Sequence, residues 1–182
     1  PSEEGIRSGA ECLVQGGLMD EIDWSDRLIG IKGTRGVGKT TFLLQYAKEK
    51  FGTDRSCLYI NMNNFYFSQC SLVDFARKFV EDGGKVLLID QMFKYANWIH
   101  DLRICYDWFQ DLHIVFTGSS VMRLKEENHI LGGITKVYYL RGLSFREFLN
   151  LQSGNNFQPY TLQYILKNHE QIAQDILEKI NP

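Results

Sequence analysis

The run Gly33-Thr34-Arg35-Gly36-Val37-Gly38-Lys39-Thr40 constrains this chain more than any other stretch. It has the form Gly, four residues, Gly-Lys-Thr. An apolar run, Leu28-Ile29-Gly30-Ile31, precedes it, and a helical pattern from Phe42 to Ala47 follows. Strand, glycine loop and helix in that order are the setting of a phosphate-binding loop. Gly33, Gly36 and Gly38 open backbone angles closed to other residues and let N–H groups approach a phosphate. Those donors stand at a helix N-terminus, where the dipole favours anions. Lys39 then reaches the β- and γ-phosphates, and the Thr40 hydroxyl is a ligand for Mg²⁺. With Thr34, Arg35 and Val37 at the variable positions and Thr41 after them, Gly33–Thr41 is the expected nucleotide-binding segment. A glycine-rich turn that merely matches is the alternative, and the flanking strand and helix argue against it.

A chain of 182 residues that is 44% hydrophobic builds one sizeable core, with room for a small appended piece. Its 20 basic and 22 acidic residues balance, so overall charge gives no support for nucleic-acid or membrane binding; a local patch stays open. No apolar run has the length of a membrane span, and no signal peptide is visible. The four cysteines, Cys12, Cys57, Cys70 and Cys105, lack C-x-x-C spacing, and Cys57 and Cys105 fall in apolar patterns. A reducing, cytoplasmic compartment is expected. The chain starts at Pro1 without Met and ends at Pro182 after a long helical pattern, which reads as one domain of a longer protein.

Strands and helices alternate along the chain. Strands are expected at Leu28–Lys32, Cys57–Met62, Lys85–Asp90, His113–Thr117 and Val137–Leu140. Helices are expected from Lys39 to about Lys50, from a Ser71 cap to about Asp82, from an Asn97 cap to about Phe109, after Ser119, and from a Ser144 capping box. The continuous aliphatic run Val86-Leu87-Leu88-Ile89 marks burial on both faces, as in a parallel sheet. Leu18, Met19, Ile22 and Trp24 either pack near a nucleotide base or cover the first strand. Residues 152–160 form a linker, and Leu162, Ile165, Leu166, His169, Ile172, Ala173, Ile176, Leu177 and Ile180 keep helical spacing. That helix packs on the sheet or on a partner outside this chain.

Asp90 ends a buried strand in the manner of a Walker-B aspartate, which helps hold the Mg²⁺ shell; an ordinary strand-ending Asp is the alternative. ATPases of this kind usually carry Glu next, to orient the attacking water, and this chain has Gln91. Glutamine donates and accepts hydrogen bonds but is no carboxylate base. Slow hydrolysis with intact Mg-nucleotide binding is therefore expected. Thr117-Gly118-Ser119-Ser120 follows the next buried strand, where a polar side chain faces the γ-phosphate; a strand-to-helix turn with Ser119 as N-cap explains it equally well. Lys39, Gln91, Thr117 and Ser119 are the candidate catalytic residues, and Thr40 and Asp90 the candidate metal ligands. His100, His113, His129 and His169 show no metal-ligand spacing.

The pieces Gly-Thr-Arg-Gly-Val-Gly-Lys-Thr-Thr, Leu-Ile-Asp-Gln-Met-Phe-Lys-Tyr-Ala-Asn-Trp, Phe-Thr-Gly-Ser-Ser and Leu-Ser-Phe-Arg-Glu-Phe-Leu occur in this order and spacing between Leu28 and Leu149. Together they resemble the prokaryotic AAA+ ATPases whose ATPase domain precedes a C-terminal domain of unknown function, often nuclease-like. The resemblance implies ATP rather than GTP, and the chain carries no Asn-Lys-x-Asp guanine motif. It implies Lys39 and Thr40 on phosphate and Mg²⁺, Asp90 on Mg²⁺, and Thr117 or Ser119 as sensor. It also implies a lid and C-terminal domains beyond this chain, with residues 161–181 as the first lid helix. The chain departs from the pattern at Gln91 and at Gly132-Gly133, where relatives usually have Gly-Arg; Arg123, Arg141 and Arg146 are the substitutes for that arginine. Asn63-Asn64 stands where relatives often have an acidic residue.

The expected fold is a three-layer α/β P-loop NTPase of AAA+ type with a mostly parallel five-stranded sheet. Residues 1–151 form the ATPase core, and 152–182 a linker and helix that begins a lid. The expected activity is Mg-dependent binding of ATP, release of ADP, and slow hydrolysis that drives attached domains. A nucleotide-binding switch or scaffold that hardly hydrolyses is the alternative, with a P-loop small-molecule kinase behind it. Oligomeric state is open, since a trans arginine would require a ring or dimer and the usual candidate is absent.

Overall fold

The computed structural model describes residues 18–119 and 130–180. Those up to Gly142 form one compact unit, and those from Leu143 onward a second.

The first unit is built on strands β1 (Leu28–Gly33), β2 (Cys57–Asn61), β3 (Val86–Asp90), β4 (His113–Ser119) and β5 (Lys136–Tyr139). They lie in the order β2-β3-β4-β1-β5, and every pairing is parallel. Each crossover for which helices are described runs through them: α2 (Lys39–Lys50) joins β1 to β2, α3 (Leu72–Glu81) joins β2 to β3, and α4 (Trp98–Trp108) joins β3 to β4. A four-residue helix, α1 (Leu18–Glu21), leads in. The short helix expected after Ser119 falls outside the described residues, as do Cys12, Arg123 and His129.

Side-chain alternation along the strands sorts the core into two layers. Leu87 and Ile89 of β3, Ile114 and Phe116 of β4 and Ile60 of β2 pack with Leu72 and Ala76 of α3 and with Leu102 and Cys105 of α4. Val86 and Leu88 of β3, Val115 of β4, and Ile29 and Ile31 of β1 face the other way, onto Phe42, Leu43 and Tyr46 of α2. Every residue of β1 and β3 is buried. The edge strands β2 and β5 are largely half-exposed. That difference explains why β3 reads as an unbroken aliphatic run and the edges do not. Each fully buried Leu, Ile or Phe contributes about 1.5–3 kcal/mol, so α2 is held mainly by Phe42 and Leu43.

Met19 and Ile22 are buried in the α2-side core. Trp24 stacks on Tyr46 with centroids 3.8 Å apart, and its Nε1 donates to the Met19 carbonyl at 3.0 Å. With Ile29, Val86, His113 and Val115, Trp24 and Tyr46 line a cavity beside the amino ends of the strands. The lead-in thus covers the sheet and α2 at the end opposite the glycine loop.

Caps are where local reading succeeds or fails. Ser71 accepts from the Asp74 amide at 3.0 Å and starts α3. Asn97 precedes α4, but its side chain makes no cap bond, which corrects the expected capping role. Around the Asn63-Asn64 pair, turn chemistry accounts for Asn61 and Asn64: the Asn61 side chain accepts from the Asn63 amide at 2.9 Å and the Asn64 side chain from the Tyr66 amide at 3.0 Å.

In the second unit, α5 (Phe145–Ser153) opens on the expected capping box: Ser144 accepts from the Glu147 amide at 3.3 Å, and the Glu147 carboxylate accepts from the Ser144 amide at 2.7 Å. The Ser144 hydroxyl also donates to the Glu147 carboxylate at 2.7 Å, and this bond first, then the one from the Ser144 amide, holds the Glu147 carboxyl below its ordinary range. The helix runs two residues into the expected linker, to Ser153, and ends on Gly154 at φ 68°. Asn150 then latches the linker, donating to the Phe157 carbonyl at 3.2 Å and accepting from its amide at 2.7 Å. Arg146 also donates to the Phe157 carbonyl. The last helix, α6 (Leu162–Ile180), breaks its helical angles at Asn168 and buries none of its residues.

Candidate functional site

Four chain segments converge at the carboxyl ends of β1, β3, β4 and β2. β1 ends at Gly33 and turns into the glycine loop. A Cβ on Gly33 would stand 2.7 Å from the Leu140 carbonyl oxygen and 2.9 Å from Val37 Cγ1. Only glycine lets the loop leave the strand at this point. The expected cost of Gly33→Ala is about 1–3 kcal/mol from overpacking against backbone, read as a lower thermal midpoint. Gly36 and Gly38 hold φ of 81° and 96°, left-handed angles that an L side chain resists.

Gly38 is the N-cap of α2 and offers no side chain to its amides. No acidic residue occupies the first turn. The positive end of this twelve-residue helix carries no acidic residue of its own, and its free loop amides suit an anion. The Lys39 ammonium donates to the carbonyls of Gly33 at 2.9 Å and Thr34 at 2.7 Å, folding back over its own loop. Burial pulls its pKa below the ordinary lysine value, and the Asp90 carboxylate opposes that pull. Thr34, Arg35, Gly36, Thr40 and Thr41 are exposed, whereas Val37 is half-buried on the α2-side core.

Asp90 is the hub. It is 1% exposed and ends β3 on the α2 face, the parity it shares with Val86 and Leu88. Its Oδ2 accepts from the Thr40 hydroxyl at 2.6 Å and from the Tyr59 hydroxyl at 3.0 Å. Its Oδ1 accepts from the Thr117 hydroxyl at 2.5 Å and from the Gln91 amide at 2.9 Å. The Gln91 amide also reaches Thr117 Oγ1 at 3.0 Å. The first helical turn and the ends of β3 and β4 are thus tied through one carboxylate.

Of the residues singled out from sequence, Thr40, Asp90 and Thr117 meet directly, and Lys39 lies beside them. Gln91 is fixed by its backbone at φ 55°, ψ 41°, the one non-glycine residue with positive φ among the described residues. Such a residue costs about 1–3 kcal/mol and concentrates at functional sites. Ser119 is the last residue of β4, paired in register with Gly33, so it lies beside the loop. Arg141 is exposed. Tyr59 is the member that sequence reasoning missed. Its signal was parity: Ile60 faces the α3 side, so Tyr59 faces α2 with Asp90 and Thr117.

The donor set fits Mg²⁺, which takes hard oxygen ligands and, beside phosphates, needs only one or two from protein. A hydroxyl and a carboxylate 2.6 Å apart at the foot of the glycine loop are such a pair. Among the described residues no group of three or more His, Cys, Asp or Glu side chains could hold a metal, and no helix is long and apolar enough to cross a membrane.

A five-stranded parallel sheet with this loop after β1 and an aspartate at the end of β3 defines a P-loop NTPase fold. A sequence profile described as the AAA domain matches residues 25–149, and the chain belongs to that family. The match agrees with the resemblance carried by its motifs. AMPPCP-bound DnaA from Aquifex aeolicus is a similar solved structure, at 14% identity and a TM-score of 0.49. The alignment covers 98% of this chain and 63% of that one, so this chain spans less than two thirds of its length. No curated protein sequence matches the chain.

Proposed function

We propose that this domain binds ATP with Mg²⁺ and hydrolyses it slowly, using nucleotide state to drive domains attached to it. The observation that carries the reading is the junction of Thr40, Asp90 and Thr117 beside Lys39, at the open end of α2. The loop amides and Lys39 would take the phosphates. Lys39 would exchange its two carbonyl partners for phosphate oxygens, a charge-assisted and stronger bond. Thr40 and Asp90 would hold Mg²⁺, which supplies charge neutralisation on the β- and γ-phosphates.

Thr117 keeps Asp90 oriented and seats the backbone of Gln91. The Gln91 side chain then positions water but takes no proton from it, hence slow turnover. That same residue favours the second reading, a nucleotide-binding switch with little hydrolysis. Gly132-Gly133 supports it further, because an arginine finger is worth several orders of magnitude in related chemistry. The kinase reading would need an acceptor pocket and an arginine-bearing lid over the phosphates, and no observation at this site favours it.

Equilibrium titration with ATP, with and without Mg²⁺, tests the proposal alongside steady-state hydrolysis. The intact chain should bind Mg-ATP. Lys39→Ala should weaken binding by about tenfold to a hundredfold, the size of one or two charge-assisted hydrogen bonds. Equal binding by both proteins would remove the loop from the site. No binding by either would remove the nucleotide.

A further inference from the structure

Tyr59 belongs to no motif, yet its hydroxyl donates to the carboxylate that the proposed site depends on. A carboxylate offers about four lone-pair positions, two on each oxygen. All four positions on Asp90 are taken: Thr117 and the Gln91 amide on Oδ1, Thr40 and Tyr59 on Oδ2. Three of these donors suffice to fix the carboxylate. The Gln91 amide is backbone, Thr117 sits 1% exposed within β4, and Thr40 belongs to the cation site itself. The fourth, Tyr59, comes from the edge strand β2, whose residue Asn61 pairs with Asp90 in register, and its side chain is only half-buried.

We infer that Tyr59 is a positioning residue whose hydroxyl holds the Asp90 lone pair that a hydrated Mg²⁺ needs, and so sets the Mg²⁺ concentration at which nucleotide is gripped. The inference rests on the nucleotide reading above. A divalent cation near Asp90 brings its water shell, and a water in that shell donates to a carboxylate. With every lone pair occupied, one donor must yield. Thr40 moves with the cation, and the two donors on Oδ1 are locked into the strand ends. Tyr59, at 3.0 Å the longest of the four contacts and on a half-buried edge strand, is the one that yields. Tyr59 therefore competes with Mg²⁺ for Asp90 without occupying the phosphate site.

The test is a Mg²⁺ titration of the purified chain at a fixed concentration of a fluorescent ATP analogue, starting from EDTA. Tyr59→Phe removes the hydroxyl and keeps the ring. It should lower the Mg²⁺ concentration for half-maximal binding by about tenfold, the worth of one charge-assisted hydrogen bond, with binding in EDTA unchanged. Thr117→Val, which removes an orienting donor from Oδ1, should shift the midpoint the other way. A midpoint in Tyr59→Phe that is unchanged or higher, while the intact chain responds to Mg²⁺, overturns this inference alone. So does a shift of the same sign in both variants, which would mean general loosening. No nucleotide binding by the intact chain overturns the nucleotide reading together with it.

Discussion

Gln91→Glu should raise steady-state ATP turnover by at least about a hundredfold, the lower end of what a positioned acid–base group contributes. The seat of residue 91 is independent of its side chain. Its amide donates to Asp90 Oδ1 at 2.9 Å and to Thr117 Oγ1 at 3.0 Å, and its backbone is held at φ 55°. Glutamate has the same length and branching, so the exchange alters only the terminal group. An amide can orient water, whereas a carboxylate orients it and accepts its proton. The gain should therefore appear in kcat, with Mg-ATP affinity changed only a few-fold. Adding Lys39→Ala to Gln91→Glu should return turnover to background. A silent Gln91→Glu that still binds Mg-ATP would place the limit elsewhere, in a missing cationic group, and would favour the switch reading.

The left-handed backbone at Gln91 is a feature no sequence pattern announces. Glutamine has no preference for positive φ, and the conformation is imposed by two acceptors, Asp90 and Thr117, that come from different strands. The glycine loop is the opposite case. Gly36 and Gly38 are required by their own angles, so the local sequence contains the reason. The central strands were legible for a related reason. β3 is buried along its whole length, and burial on both faces leaves an unbroken aliphatic run.

Edge strands gave less. β5 lies one residue earlier than its aromatic run indicated, at Lys136–Tyr139, with its exposed Lys136 paired to Ile29 of β1. Tyr59 escaped notice on β2 because a half-exposed tyrosine there looks like ordinary edge composition. Only the register, with Asn61 opposite Asp90, turns its parity into a contact. Asn97 was misread as a cap since residue type alone does not aim a side chain. Ser71 and Ser144 were read correctly, and each has the acidic residue three positions on that completes the local bonds.

Asp90→Asn should preserve the fold and abolish the Mg²⁺ dependence of nucleotide binding. The side chain is buried and takes four hydrogen bonds, so a careless replacement would strand several donors. Asparagine avoids this in one orientation only. The Gln91 amide cannot reverse its polarity, so the asparagine oxygen must stay on the Oδ1 side. The new NH₂ group then faces Thr40 and Tyr59, whose hydroxyls can rotate and accept. All four contacts survive, and the loss of stability should be about 1 kcal/mol, a small shift in thermal midpoint. The charge does not survive. Lys39 loses the carboxylate that opposes the downward pull of burial on its pKa, and the cation site keeps one neutral hydroxyl. Affinity in Mg²⁺ should fall to the value measured in EDTA, and turnover by about a thousandfold or more, as when a phosphoryl-transfer site loses a main source of charge stabilisation. The measurement is the paired titration together with a melting curve. A variant that melts normally yet keeps its full Mg²⁺ response would take Asp90 out of the metal site, whereas one that melts far below the intact chain would show that the charge itself, and not the count of hydrogen bonds, holds the strand ends together.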